Sequence, residues 1–267
     1  MVRQPAVAGR FYPAQAEALA AEVDRLLQTD QPPQPALAVI CPHAGYVFSG
    51  RVAGQVFGQV SVPRRVLLMG PNHSGMGRPA ALMSRGQWRT PLGLINLDDQ
   101  LGQAIMDRAA YVEQDDLAHR NEHSLEVQTP FLQRRQAHLL LTPLCLALLG
   151  VQHCLDLGRA IAEAIASLGE PVLIVASTDM SHYIPAAQAK ALDELAIERI
   201  MALDAEGLHH TVLGRGISMC GVVPTAVALA AAVALGASRA RLAAYANSGQ
   251  VTGDEREVVA YAGLIID

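Results

Sequence analysis

His43, His73 and His182 each follow a short apolar run that ends in turn-forming residues. LAVIC (37–41) runs into PHAGYVFSG, RVLLMG (65–70) into PNHSGMG, and PVLIVAS (171–177) into TDMSHY. The apolar runs read as strands and the Pro, Gly, Asn and Ser beyond them as turns, so three separate strand ends each deliver an imidazole. In open α/β sheets, ligands collect in the crevice beyond the carboxyl ends of the strands. Taken singly, a turn histidine is most simply a surface group, and His43 would cap a helix starting near Ser49. Three of them converging on one crevice are different, because imidazoles repel when charged and bind a metal ion readily when neutral.

Asp179 precedes His182 by three residues in STDMSHY. On a helical turn that spacing puts both on one side, where the carboxylate orients the imidazole and raises its basicity. Such a pair suits a general acid/base or the support of a metal ligand. The plainer alternative is that Ser177, Thr178 or Asp179 caps a helix beginning near Pro185. Cys220, in RGISMCGVVPTAVAL, lies just ahead of a long Ala-rich stretch. A helix N-terminus favours the thiolate, which leaves Cys220 open to three roles: metal ligand, nucleophile or redox-sensitive group. As a bare hydrophobe it would be buried and inert. Cys41 points into the core from its strand, and the four cysteines form no C-x-x-C pair and no disulfide framework.

His119, Glu122 and His123 spell H-x-x-E-H, the inverted zinc-protease signature, with Glu198 further on as a third carboxylate. On a single helix His119 and His123 would share a face. The preceding DDLAHRN, however, reads as a polar loop with Asn121 as N-cap, which leaves His119 off the helix. Five-residue matches also arise often by chance, and nothing else in the chain suggests a protease. Glu122, His123 and Glu126 are then expected to line, or to support from behind, the crevice of the strand-end histidines.

The elements that must position these residues alternate. Strands are predicted at 37–41, 65–70, 137–144, 171–177, 240–247 and 257–266, with helices near 14–28, 49–60, 98–109, 122–135, 152–168, 186–202 and 222–236. Alternation with nearly continuous apolar strands predicts an α/β fold, a central mostly parallel or mixed sheet with helices on both faces. No repeat or low-complexity segment divides residues 1–267, and QPPQP (31–35) comes too early to separate two units, so a single domain is expected. With 51% hydrophobic residues the chain has ample material for a core. A net charge of −5 without basic runs argues against nucleic acid. Val222 to Leu235 is too short and Ala-rich to span a bilayer, and MVRQPAVAGRFYPAQ has no apolar signal-peptide core, so a reducing cytoplasm is the expected location and no membrane partner is expected.

Taken in order, PAVAGRFYPA, CPHAGYVFSG, GPNHSG, NEHSLEVQTPFL, STDMSHY and SMCGVVPT resemble the Memo family, known in prokaryotes as AmmeMemoRadiSam system protein B, over essentially the whole chain. The resemblance implies a fold like that of class III extradiol dioxygenases, non-haem iron enzymes with one α/β domain. It further implies His43, His73 and Cys220 as metal ligands, with Asp179 and His182 beside them as catalytic groups. Those dioxygenases hold iron with two histidines and a carboxylate. Here Cys220 takes the carboxylate's place, and a softer thiolate shifts preference toward copper or zinc as well as iron. Only the EHS-x-E part of the H-x-x-E-H stretch belongs to the family pattern. Two functions are thereby open. One is a metal-dependent oxidoreductase of the dioxygenase type. The other is a non-catalytic binding or metal-handling protein, which would hold a small molecule or peptide and act with AMMECR-type and radical SAM partners.

Overall fold

The computed structural model describes residues 1–267. Its centre is three adjacent parallel strands, Arg65–Pro71, Val172–Ser177 and Ala38–Cys41, in which every residue is buried. Alternate side chains on these strands enter different cores, as the two-residue strand period requires. Ala38, Ile40, Leu67, Met69, Ile174 and Ala176 face one core, while Val39, Cys41, Val66, Leu68, Leu173 and Val175 face the other. A sheet buried on both sides leaves no polar face, and this accounts for the near-continuous apolar runs in the sequence.

Leu140–Leu146 extends the sheet in parallel beyond Arg65–Pro71, and Gly93–Leu97 adds another parallel strand outside it. Gln87–Thr90 then pairs antiparallel with Gly93–Leu97, and Val2–Arg3 closes that edge. On the other side Val258–Ile266 pairs antiparallel with Ala38–Cys41 and with Ala240–Asn247. The sheet is therefore mixed, with helices on both faces, as the alternating pattern predicted. Helices Val151–Leu168 and Val222–Ala234 cover the larger core, and Ala16–Leu26 and Tyr46–Gly58 the smaller. Val151–Leu168 approaches Val222–Ala234 closely at Gly158, where a Cβ would stand 2.5 Å from the Ala230 Cβ.

Two helical expectations change. The predicted 122–135 helix is two short ones, His123–Glu126 and Thr129–Arg135. Pro130 has no N–H to continue the first ladder, and the Thr129 hydroxyl takes the Glu126 carbonyl instead. Helix Ala205–Arg215 was not anticipated, although its ends are marked: the Asp204 carboxylate caps Gly207 N–H, and Gly216 takes the left-handed conformation (φ 64°) that stops it.

Candidate metal centre

His43, His73 and Asp179 each lie two residues beyond the last residue of one of the three central strands. Because those strands are parallel neighbours, the three side chains arrive at one level of the sheet. His123 comes from a different direction, as the first residue of the helix His123–Glu126, with Glu122 as its N-cap in place of the expected Asn121. One ring nitrogen each of His43, His73 and His123 lie within 4.8 Å of one another. The His73 and His123 rings stack at 4.7 Å between centroids, and His43 meets both edge-on.

Hydrogen bonds fix which nitrogens are free. The Ser177 hydroxyl donates its one hydrogen to the Ser124 carbonyl at 2.6 Å and accepts from Gln128 Nε2 at 2.8 Å. Towards His43 Nδ1, 3.0 Å away, it can therefore only accept, so His43 carries its proton on Nδ1 and leaves the Nε2 lone pair free. His73 Nδ1 donates to Glu122 Oε1 at 2.9 Å, with the same consequence for its Nε2. Glu122 also accepts from the backbone N–H groups of His73 and Ser124. Burial alone would raise the Glu122 carboxyl, but its bonds to His73 and Ser124 outweigh this and hold it down to about 2. Burial, reinforced by the neighbouring imidazoles, pushes His43 well below its ordinary value, and burial also lowers His123. Three imidazoles with converging ring nitrogens, two of them held through Nδ1 and one of those backed by an anionic carboxylate, are a donor set that can hold a metal ion.

The other expected residues gather around this trio. Cys220 lies outside the group of three, with Sγ 3.2 Å from His43 Nε2 and 3.7 Å from the Asp179 carbonyl oxygen. Gly221 lets this segment approach the strand end: a Cβ there would stand 2.4 Å from the Ser177 carbonyl oxygen. The helix N-terminus does not leave Cys220 as a thiolate, since burial pushes the thiol up to about 12. Asp179 does not orient His182, because residues 178–181 form no helical turn. Instead its carboxylate accepts from the His43 backbone N–H at 2.7 Å, while His182 Nδ1 donates to the Ser218 carbonyl at 2.9 Å. Burial raises the Asp179 carboxyl to about 7 against those backbone bonds.

His119 precedes the helix and is buried, with Nε2 donating to the Ala81 carbonyl at 2.9 Å. Glu198 is exposed on the distant helix Ala186–Met201. The H-x-x-E-H match therefore assembles no protease site. Glu126 does not line the crevice either. It faces away, accepting from Arg3, the Tyr12 hydroxyl and the Ala6 and Val7 backbone. The sequence offered no signal for Ser177 or Gln128 as the pair that sets the His43 tautomer.

The imidazoles open on a crevice of about 570 Å³ that Phe11, Phe48, Asp179, His182, Tyr183 and Tyr261 also line. No helix is long and apolar enough to cross a membrane. These features define an α/β protein with a three-histidine centre at the carboxyl ends of neighbouring parallel strands. The chain belongs to the Memo family, whose model, described as Memo-like protein, matches residues 3–265. Relatives described as MEMO1 family proteins include one from Aquifex aeolicus, 40% identical over 99% of this chain and 98% of its own. Another, from Methanosarcina mazei, is 39% identical over 100% of this chain and 99% of its own. The fold is also similar to a solved structure of an uncharacterized Escherichia coli K12 protein, with a TM-score of 0.56 at 14% identity over 84% of this chain and 98% of that one.

Proposed function

We propose that the protein is a metal-dependent oxidoreductase of the dioxygenase type, with iron as the metal to test first and copper or zinc as alternatives. The observation that carries this reading is the convergence of the His43, His73 and His123 nitrogens within 4.8 Å. A metal ion bound there would polarise a coordinated oxygen and, if redox-active, supply the electron chemistry. The protein's own residues hold and move protons around it. Asp179, titrating near 7, can give or take a proton at neutral pH beside the crevice. His182 has its Nδ1–H committed to Ser218, which leaves Nε2 to accept a proton from a bound substrate. Glu122 keeps its negative charge behind His73 and offsets positive charge brought into the site. The test is oxygen consumption by anaerobically iron-loaded protein given catechol-like and other reduced substrates. Uptake that is lost in His182→Ala supports the reading, and no uptake beside an active dioxygenase control contradicts it.

A second reading is favoured by the Cys220 thiol beside His43 Nε2, since a sulfur donor suits copper or zinc. In it the crevice holds a metal, or a small molecule or peptide, without turnover, in concert with AMMECR-type and radical SAM partners. Copper-only binding, lost in Cys220→Ser and without oxygen chemistry, would select this reading.

A further inference from the structure

Two residues other than glycine hold the left-handed backbone conformation, Leu203 at φ 57° and Tyr183 at φ 56°. For an L-residue with a bulky side chain that conformation is unfavourable, so something must offset it. At Leu203 packing does so, because the side chain is half-buried against the larger core in the link between helices Ala186–Met201 and Ala205–Arg215. Tyr183 has no such compensation, for it is 74% exposed.

The surrounding chain imposes the conformation. His182 and Ile184 pair with Val259 and Val258, and the register shifts between them, so the ladder is broken where Tyr183 sits. His182 on one side is tied through both its backbone N–H and Nδ1 to Ser218. Bulges of this kind re-aim a side chain, and here the ring is re-aimed to the mouth of the three-histidine crevice. Only the His182 ring, 5.9 Å away between centroids, is its aromatic neighbour. Phe11, Phe48 and Tyr261 supply further ring surface to the same crevice. Backbone strain of this kind clusters at ligand clamps and active sites, and here its product is an exposed aromatic ring at the edge of the crevice.

We propose that Tyr183 is a ligand-contacting, specificity-determining residue: it stacks on a small ring-bearing ligand whose metal-binding head reaches the histidine trio. This rests on the metal-dependent reading above. The test uses zinc-loaded protein and calorimetric titration with acetohydroxamate and benzohydroxamate, which share a metal-binding head and differ in the ring. Wild type should bind benzohydroxamate more tightly. Tyr183→Ala and Tyr183→Gly should lose about three- to tenfold of that ring preference and keep acetohydroxamate affinity within about twofold, while Tyr183→Phe keeps both. Because glycine adopts this backbone freely, Tyr183→Gly should melt no lower than wild type. An unchanged ring preference in the Ala and Gly variants would overturn the proposal, as would a parallel loss of acetohydroxamate binding. If wild type with zinc fails to bind acetohydroxamate at all, the metal-dependent reading fails first and takes this proposal with it.

Discussion

The lone pair on His43 Nε2 is free only because Ser177 has already given its hydrogen to Ser124 and accepts from Gln128. Ser177→Ala removes the acceptor that holds the proton on Nδ1, and the imidazole can then redistribute between tautomers. Metal affinity should fall about 10- to 100-fold, read by competition with a chelator of known affinity, and the melting temperature should fall as well because the buried Ser124 carbonyl and Gln128 amide lose a partner. An unchanged affinity would show that the ring is oriented by something else. His43 and His73 were legible in the sequence because each follows a strand by a fixed, short turn. His123 was legible only as a neighbour of the crevice, since a helix start carries no such positional rule. The partner of Asp179 could not be read at all. The i, i+3 spacing to His182 points at a helical turn, whereas the chain turns toward the His43 backbone instead.

The element that brings His123 into place is tied to the first residues of the chain. Arg3, in the edge strand Val2–Arg3, donates to Glu126 Oε2 at 2.6 Å, to the His119 carbonyl at 2.6 Å and to the Glu122 carbonyl at 2.8 Å. Its guanidinium also lies 4.3 Å from the Trp88 ring centroid. Glu126 in turn takes the Ala6 and Val7 N–H groups and the Tyr12 hydroxyl, and the Phe11 ring then meets His123 at 5.0 Å. Arg3 and Glu126 are both buried, so removing one charge strands the other. Arg3→Ala should cost about 3–5 kcal/mol in urea unfolding, whereas the double change Arg3→Met with Glu126→Leu should cost distinctly less than the sum of its parts. The sheet and the long helices were legible because their apolar periodicity is dictated by two cores. This tether was not, because it joins residues more than a hundred positions apart and no local pattern announces it.

Across the whole molecule, stability should depend on a buried neutral histidine that does not line the crevice. Burial lowers His119 from 6.5 to about 4, while its Nε2–H serves the Ala81 carbonyl. The unfolded chain therefore takes up this proton near pH 6.5 and the folded protein only near pH 4. The stabilisation is fully present above 6.5 and drains away as pH falls to 4, on the order of 3 kcal/mol over that window. His119→Gln keeps an N–H for Ala81 and should show a smaller drop in urea midpoint between pH 7 and pH 4.5 than wild type; an equal drop would assign the effect to other groups. The same residue separates the two ways of reading H-x-x-E-H. The most direct test of the three-histidine centre is metal stoichiometry after anaerobic loading, measured on wild type, His43→Ala, His73→Ala, His123→Ala and His119→Ala. Wild type and His119→Ala should each retain one tightly held ion and the other three should lose it, whereas loss in His119→Ala with retention in His123→Ala would contradict the account.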